Sequence, residues 1–137
     1  MFAWFAVSLQ TFQPSRNEWK QGMKLAALIG LIMVMMLILL SEYLRLAPDP
    51  QEVMSWARPA HRLVASTTGL LVLGLVGFSL LQKKNRALCF VLLGLTVFLA
   101  WLGLYSEGSS NPTIVLGNQL GGIAMLGGFA WLIFKSR

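Results

Sequence analysis

Apolar residues run in four long blocks along the chain, at about residues 24–44, 59–81, 86–105 and 112–134, separated by short polar or proline-bearing stretches. Each block has about 20 residues, the length an α-helix needs to cross a hydrocarbon core of ~30 Å. Barrel strands are shorter and alternate apolar with polar positions, and none of the four blocks alternates that way. Inside lipid the backbone must satisfy its own polar groups, which leaves helices as the spanning solution. The pattern predicts an all-α integral membrane protein, with a four-transmembrane-helix bundle over residues 22–137.

The interruptions refine this outline. The first block closes on Ser41-Glu42-Tyr43-Leu44-Arg45-Leu46, and Pro48 and Pro50 then stop the helix. Residues 51–57 suit a short surface helix with Trp56 at headgroup depth. Pro59 suits the first turn of the second span, where its missing N–H costs nothing. Trp101 and Tyr105 close the third block as an aromatic belt would, and Pro112 opens the fourth. Ahead of the first span, Phe2, Phe5, Leu9 and Phe12 fall near one face of a helix, with Trp4 and Trp19 as interface anchors. Residues 1–21 therefore read either as a short interfacial helix or arm, or as a disordered tail ending near Pro14. The first twelve residues carry no basic n-region, so they do not read as a secretory signal.

Composition agrees: 56% of the 137 residues are hydrophobic and 12% charged, more apolar surface than a soluble domain of this length can hide. The net charge of +6 is unevenly placed. Arg16, Lys20 and Lys24 precede the first span, Lys83, Lys84 and Arg86 fill the turn between the second and third, and Lys135 and Arg137 follow the fourth. The two opposite connections hold Asp49 and Glu52 against Arg45 and Arg58, and Glu107. Positive-inside asymmetry then predicts N-in, C-in topology, a multi-pass protein of a bacterial-type inner (plasma) membrane with both termini cytoplasmic. The bases serve topology and contact with anionic lipid heads, and no soluble basic face offers itself to nucleic acid. Cys89 is the only cysteine and lies within a span, so it reads as a small packing residue rather than part of a disulfide or metal motif.

The candidate chemistry centres on His61, the only histidine, which stands with Arg62 at the start of the second span. Ionisable groups at membrane depth are costly and therefore default to functional candidates. Three roles stay open for His61: an axial ligand to haem iron, a lipid or quinone contact, and a cap at the helix start. Asn118 and Gln119 lie about two turns inside the fourth span, framed by Gly117 and Gly121. Such spacing lets helices approach closely, or lets a flat ligand lie against a helix. His61 and Asn118 fall at similar depth in helices that start on the same side, and polar groups on facing helices are how bundles build cofactor sites. Whether these two faces meet is a question for the tertiary structure. A channel or transporter finds little support, since spans two to four carry no other intramembrane charge.

Two strings carry a resemblance. Trp56-Ala57-Arg58-Pro59-Ala60-His61-Arg62-Leu63-Val64-Ala65-Ser66-Thr67-Thr68-Gly69 resembles the second helix of the haem A synthase family, and Pro112-Thr113-Ile114-Val115-Leu116-Gly117-Asn118-Gln119-Leu120-Gly121-Gly122 resembles the fourth. Leu93-Gly94-Leu95-Thr96 with Leu102-Gly103, and Tyr43-Leu44-Arg45-Leu46, are similar to its third helix and to the end of its first. The resemblance covers about residues 24–134, one four-helix half of an eight-helix family. That half usually presents two haem-binding histidines, of which His61 matches the first while the second falls on Asn118. The acid three positions before the first histidine is replaced by Arg58, and the family's cysteine-bearing first external loop is cut to about residues 47–55 without a cysteine.

Low-spin haem needs two strong axial donors, and an imidazole with an amide does not supply them. The resemblance thus implies a half-bundle without the family's catalysis: an accessory or assembly subunit of a respiratory membrane complex, beside a haem-copper oxidase or a quinol-oxidising complex. Its partners would be larger membrane subunits and lipids. The alternative is a haem-binding protein, a half-size synthase-like enzyme acting as a homo-oligomer, with His61 on the iron, Asn118 facing it, and Arg45 and Arg62 pairing with propionates.

Overall fold

The computed structural model of the protein describes residues 15–46, 50–106 and 111–137. Four helices follow one another: α1 (Arg16–Leu46), α2 (Pro50–Gln82), α3 (Arg86–Ser106) and α4 (Pro112–Lys135). There is no strand among the described residues. Each helix is long and apolar enough to cross a membrane, over Asn17–Leu46, Trp56–Gln82, Arg86–Tyr105 and Pro112–Lys135. The expected all-α four-helix membrane bundle is the observed fold.

The helices pack as a ring, α1 on α2, α2 on α3, α3 on α4 and α4 back on α1. Short connections make all neighbours antiparallel, so Ser15 and Arg137 share one end, where Lys20 Nζ donates to the Arg137 carbonyl at 3.4 Å. We call this the terminal end and the opposite one the distal end. The core is a narrow column: Val34, Val72, Leu92, Phe129 and Leu132 are buried, while Leu39 and Leu104 remain 64% and 75% exposed. Such outward apolar surface is what lipid contact requires. Close approach along the column depends on glycine at two places. A Cβ on Gly30 would collide with the Phe129 ring, and one on Gly121 would sit 2.6 Å from Leu99.

Helix α1 starts earlier than the apolar block, because Ser15-Arg16-Asn17-Glu18 forms a capping box. The Ser15 N–H donates to Glu18 Oε2 at 2.6 Å, and the Glu18 N–H donates to Ser15 Oγ at 3.4 Å. Trp19 then stacks on Phe78 of α2 with centroids 4.2 Å apart, holding this first turn to the bundle. Of the arm expected over residues 1–21, residues 16–21 are part of helix α1, and residues 1–14 lie outside the described residues.

A second departure concerns Pro59, which lies inside α2 rather than in its first turn. The surface helix expected over 51–57 and the second span are one continuous helix. A proline there removes a backbone hydrogen bond and crowds the preceding turn. Packing offsets this penalty: Ala57 is fully buried, and Trp56 stacks on Tyr43 of α1 at 5.5 Å. At the opposite connection Pro112 does occupy the first turn, behind an Asn111 cap whose Oδ1 accepts from the Thr113 N–H at 3.0 Å.

Candidate functional site: a polar cleft at the distal end

Two hydroxyls of the polar run Ser66-Thr67-Thr68 are taken up within α2: Thr67 Oγ1 donates to the Leu63 carbonyl at 2.6 Å and Thr68 Oγ1 to that of Val64 at 2.7 Å. Such back-bonding satisfies hydroxyls inside their own helix. Polar side chains left to act elsewhere converge one helix over.

Between the distal halves of the helices lies a cleft of about 90 Å³, lined by Ser41 and Glu42 of α1, His61 and Ala65 of α2, and Asn118 and Gln119 of α4. Leu99 of α3 and Met125 of α4 close its deeper, apolar part. His61 and Asn118, matched from sequence only by depth, therefore do face one space. Both are half-buried.

The other two candidates stand apart. Arg45 is not part of the cleft wall, but its Nη2 pairs with Glu42 Oε2 at 3.1 Å, one turn along α1. Arg62 is exposed and also lies off the cleft. Among the described residues, no arginine lines the cleft beside His61, where a propionate partner would be expected.

Glu42 is the residue that sequence reasoning passed over, and Gln119, noted beside Asn118, had no partner assigned to it. Gln119 Nε2 donates to Glu42 Oε1 at 2.5 Å, joining α4 to α1 across the cleft mouth. With Arg45 on its second oxygen, the carboxylate is held from two sides. A charge-assisted hydrogen bond of this kind is about twice as strong as a neutral one. The signal was present: a lone carboxylate closing a Leu-, Ile- and Met-rich span is as costly as His61, and equally in need of a partner.

The donor set does not fit a six-coordinate haem. His61 supplies one imidazole, and the facing Asn118 offers an amide. The remaining soft donor, Met125 Sδ, lies 4.0 Å from the Thr96 hydroxyl that donates to it. The cleft is polar at Glu42, His61, Asn118 and Gln119 and roomy enough to admit water. Among the described residues, no group of three or more His, Cys, Asp or Glu side chains could hold a metal ion. Cys89, as expected of a packing residue, is buried in the central column. What the site can do is tie helices together by polar contacts and admit a small hydrogen-bonding group beside His61 and Asn118. Comparison with protein-family models, curated proteins and solved structures finds no match, so the cleft is read from its own geometry.

Proposed function

We propose that the protein is a non-catalytic accessory or assembly subunit of a respiratory membrane complex, built on half of a haem A synthase-like fold. In this reading it resides in a bacterial-type inner membrane with both termini cytoplasmic. The observation that carries the non-catalytic reading is the Glu42–Gln119 bond. Polar groups at the place of a haem site are spent on joining α1 to α4, and the position of the second ligand holds Asn118. Support for a protein partner comes from the outward faces. Gly77, Gly94, Gly103 and Gly127 have nothing within 4 Å of where a Cβ would stand, so another helix can approach closely there. The partner class, a haem-copper oxidase or a quinol-oxidising complex, rests on the resemblance alone.

The test is purification from the native membrane, with an absorption spectrum recorded alongside mass identification of co-purifying chains. Stoichiometric comigration with oxidase or quinol-complex subunits, without a haem band from this chain, is the expected result. A haem band that vanishes in His61→Ala would overturn the reading in favour of a haem binder. A chain that migrates alone, free of haem, would also overturn it.

A further inference from the structure

At the terminal end, away from the polar cleft, three cations from different parts of the chain surround one groove. Lys20 of α1, Lys84 of the α2–α3 turn and Lys135 of α4 line a space of about 180 Å³, with Gln82 and Asn85 beside them. All three lysines are exposed, and no acidic side chain lines the groove. The nearest acid along α1, Glu18, is engaged in the helix cap. The turn is held by two left-handed residues, Lys83 at φ 55° and Asn85 at φ 54°, so Lys84 is set at the rim by backbone geometry.

This groove does not end at the basic rim. Met23 and Phe78 form part of its wall, and both also line a second, apolar groove of about 350 Å³ between α1 and α2. There Gly74 leaves the surface of α2 open, Gly22 faces it from α1, and Leu70, Leu71 and Leu75 form the sides. From Phe78 to Leu70 the groove follows α2 for about 12 Å at the usual helical rise. That distance spans most of one leaflet of a ~30 Å core. A basic mouth at headgroup level opening into an apolar furrow along the helices matches one kind of molecule.

We propose that this composite groove is a binding site for an anionic phospholipid. The phosphodiester lies among Lys20, Lys84 and Lys135, and one acyl chain lies in the Gly22–Gly74 furrow. Basic pockets between transmembrane helices recognise such headgroups by charge, and charge complementarity selects the occupant here. The N-terminal fourteen residues, the other apolar segment within reach of α1, contain no acidic residue to answer the lysines. The proposal is independent of the respiratory-partner reading.

Native mass spectrometry of the full-length protein, released gently from membranes containing phosphatidylglycerol or cardiolipin, tests it. The wild type is expected to keep an anionic lipid adduct. The triple variant Lys20→Ala, Lys84→Ala, Lys135→Ala is expected to bind phosphatidylglycerol roughly a hundredfold more weakly, as three lysines at an anionic surface imply. Lys24→Ala, at the same end but off the groove, controls for general electrostatics. Gly74→Leu adds a side chain whose Cβ meets nothing within 4 Å, and it fills the furrow; an unchanged detergent-unfolding midpoint is the check that the fold is kept. This variant should weaken phosphatidylglycerol several-fold and leave short-chain glycerophosphate unaffected.

Equal losses in Lys24→Ala and the triple variant would reduce the site to a diffuse surface potential. Full competition by inorganic phosphate, or indifference to Gly74→Leu, would identify a phosphate site rather than a lipid site. An adduct seen only after removal of residues 1–14 would mean that the chain covers its own groove. Each of these three outcomes overturns the proposal.

Discussion

Glu42 is the residue on which the distal cleft turns, because it is a carboxylate at membrane depth with two protein partners. Arg45 is 44% exposed, so the ion pair is screened by solvent and contributes little. The bond from Gln119 crosses between helices and is the more valuable contact. Polar side-chain contacts within membrane bundles are worth about 0.6 kcal/mol on average and at most ~1.7. Gln119→Ala is therefore expected to destabilise the bundle by about 1 kcal/mol in a detergent-unfolding titration, and Glu42→Gln by less, since an amide oxygen still accepts. A double-mutant cycle should show coupling between the two positions, and strict additivity would remove the bond from the account. Gly30 makes a second prediction at this scale. Gly30→Ala must push the buried Phe129 ring aside, which costs about 1–3 kcal/mol as overpacking does. Adding Phe129→Leu should return part of that loss by making space.

Among the elements, α2 shows most clearly how packing overrides local preference. Its proline stands well inside a helix that runs from Pro50 to Gln82, kept continuous by buried Ala57 and by Trp56 on Tyr43. Pro59→Ala restores a backbone N–H there and should slow amide exchange in the turns around Trp56–Ala60. Were Pro59 in the first helical turn, the same change would leave exchange as it was. The start of α1 follows the opposite logic, since its capping box is written in four consecutive residues. Ser15→Ala should lower stability by about 0.5–1 kcal/mol, read from the unfolding midpoint, with fraying confined to the first turn. That box was legible from Ser15 and Glu18 but lay in a stretch judged by its aromatic face instead. The continuity of α2 was not legible, because residues 51–57 and Pro59 carry the local signals of two separate elements.

For the whole molecule, the ring of four helices leaves most apolar surface facing outward, and its open glycines separate two kinds of contact. Gly94→Ala and Gly127→Ala add a methyl to open space and improve helix propensity, so the isolated protein should be unchanged or slightly more stable, by up to about 1 kcal/mol per site. The same variants should reduce co-purification of a partner that packs on those faces. Stability and co-purification falling together would instead assign these glycines to the bundle's own fold. The proposed orientation has its own check: a fluorescent protein that matures only in cytoplasm, fused after Arg137, should fluoresce.

The hydrophobic blocks and the placement of Lys and Arg were enough to determine four spanning helices, because lipid permits so few backbone solutions. They also placed His61 and Asn118 at one depth, since depth follows directly from position along a helix. Facing is different, for it depends on how each helix is rotated about its axis and which neighbours it meets. Only the tertiary structure brought His61 and Asn118 to one cleft, gave Glu42 its partner in Gln119 from 77 residues away, and joined the basic rim to the α1–α2 furrow. Those contacts are set by packing between helices, where glycines and the Phe129 ring decide the approach, and no period of residues along a single helix encodes them.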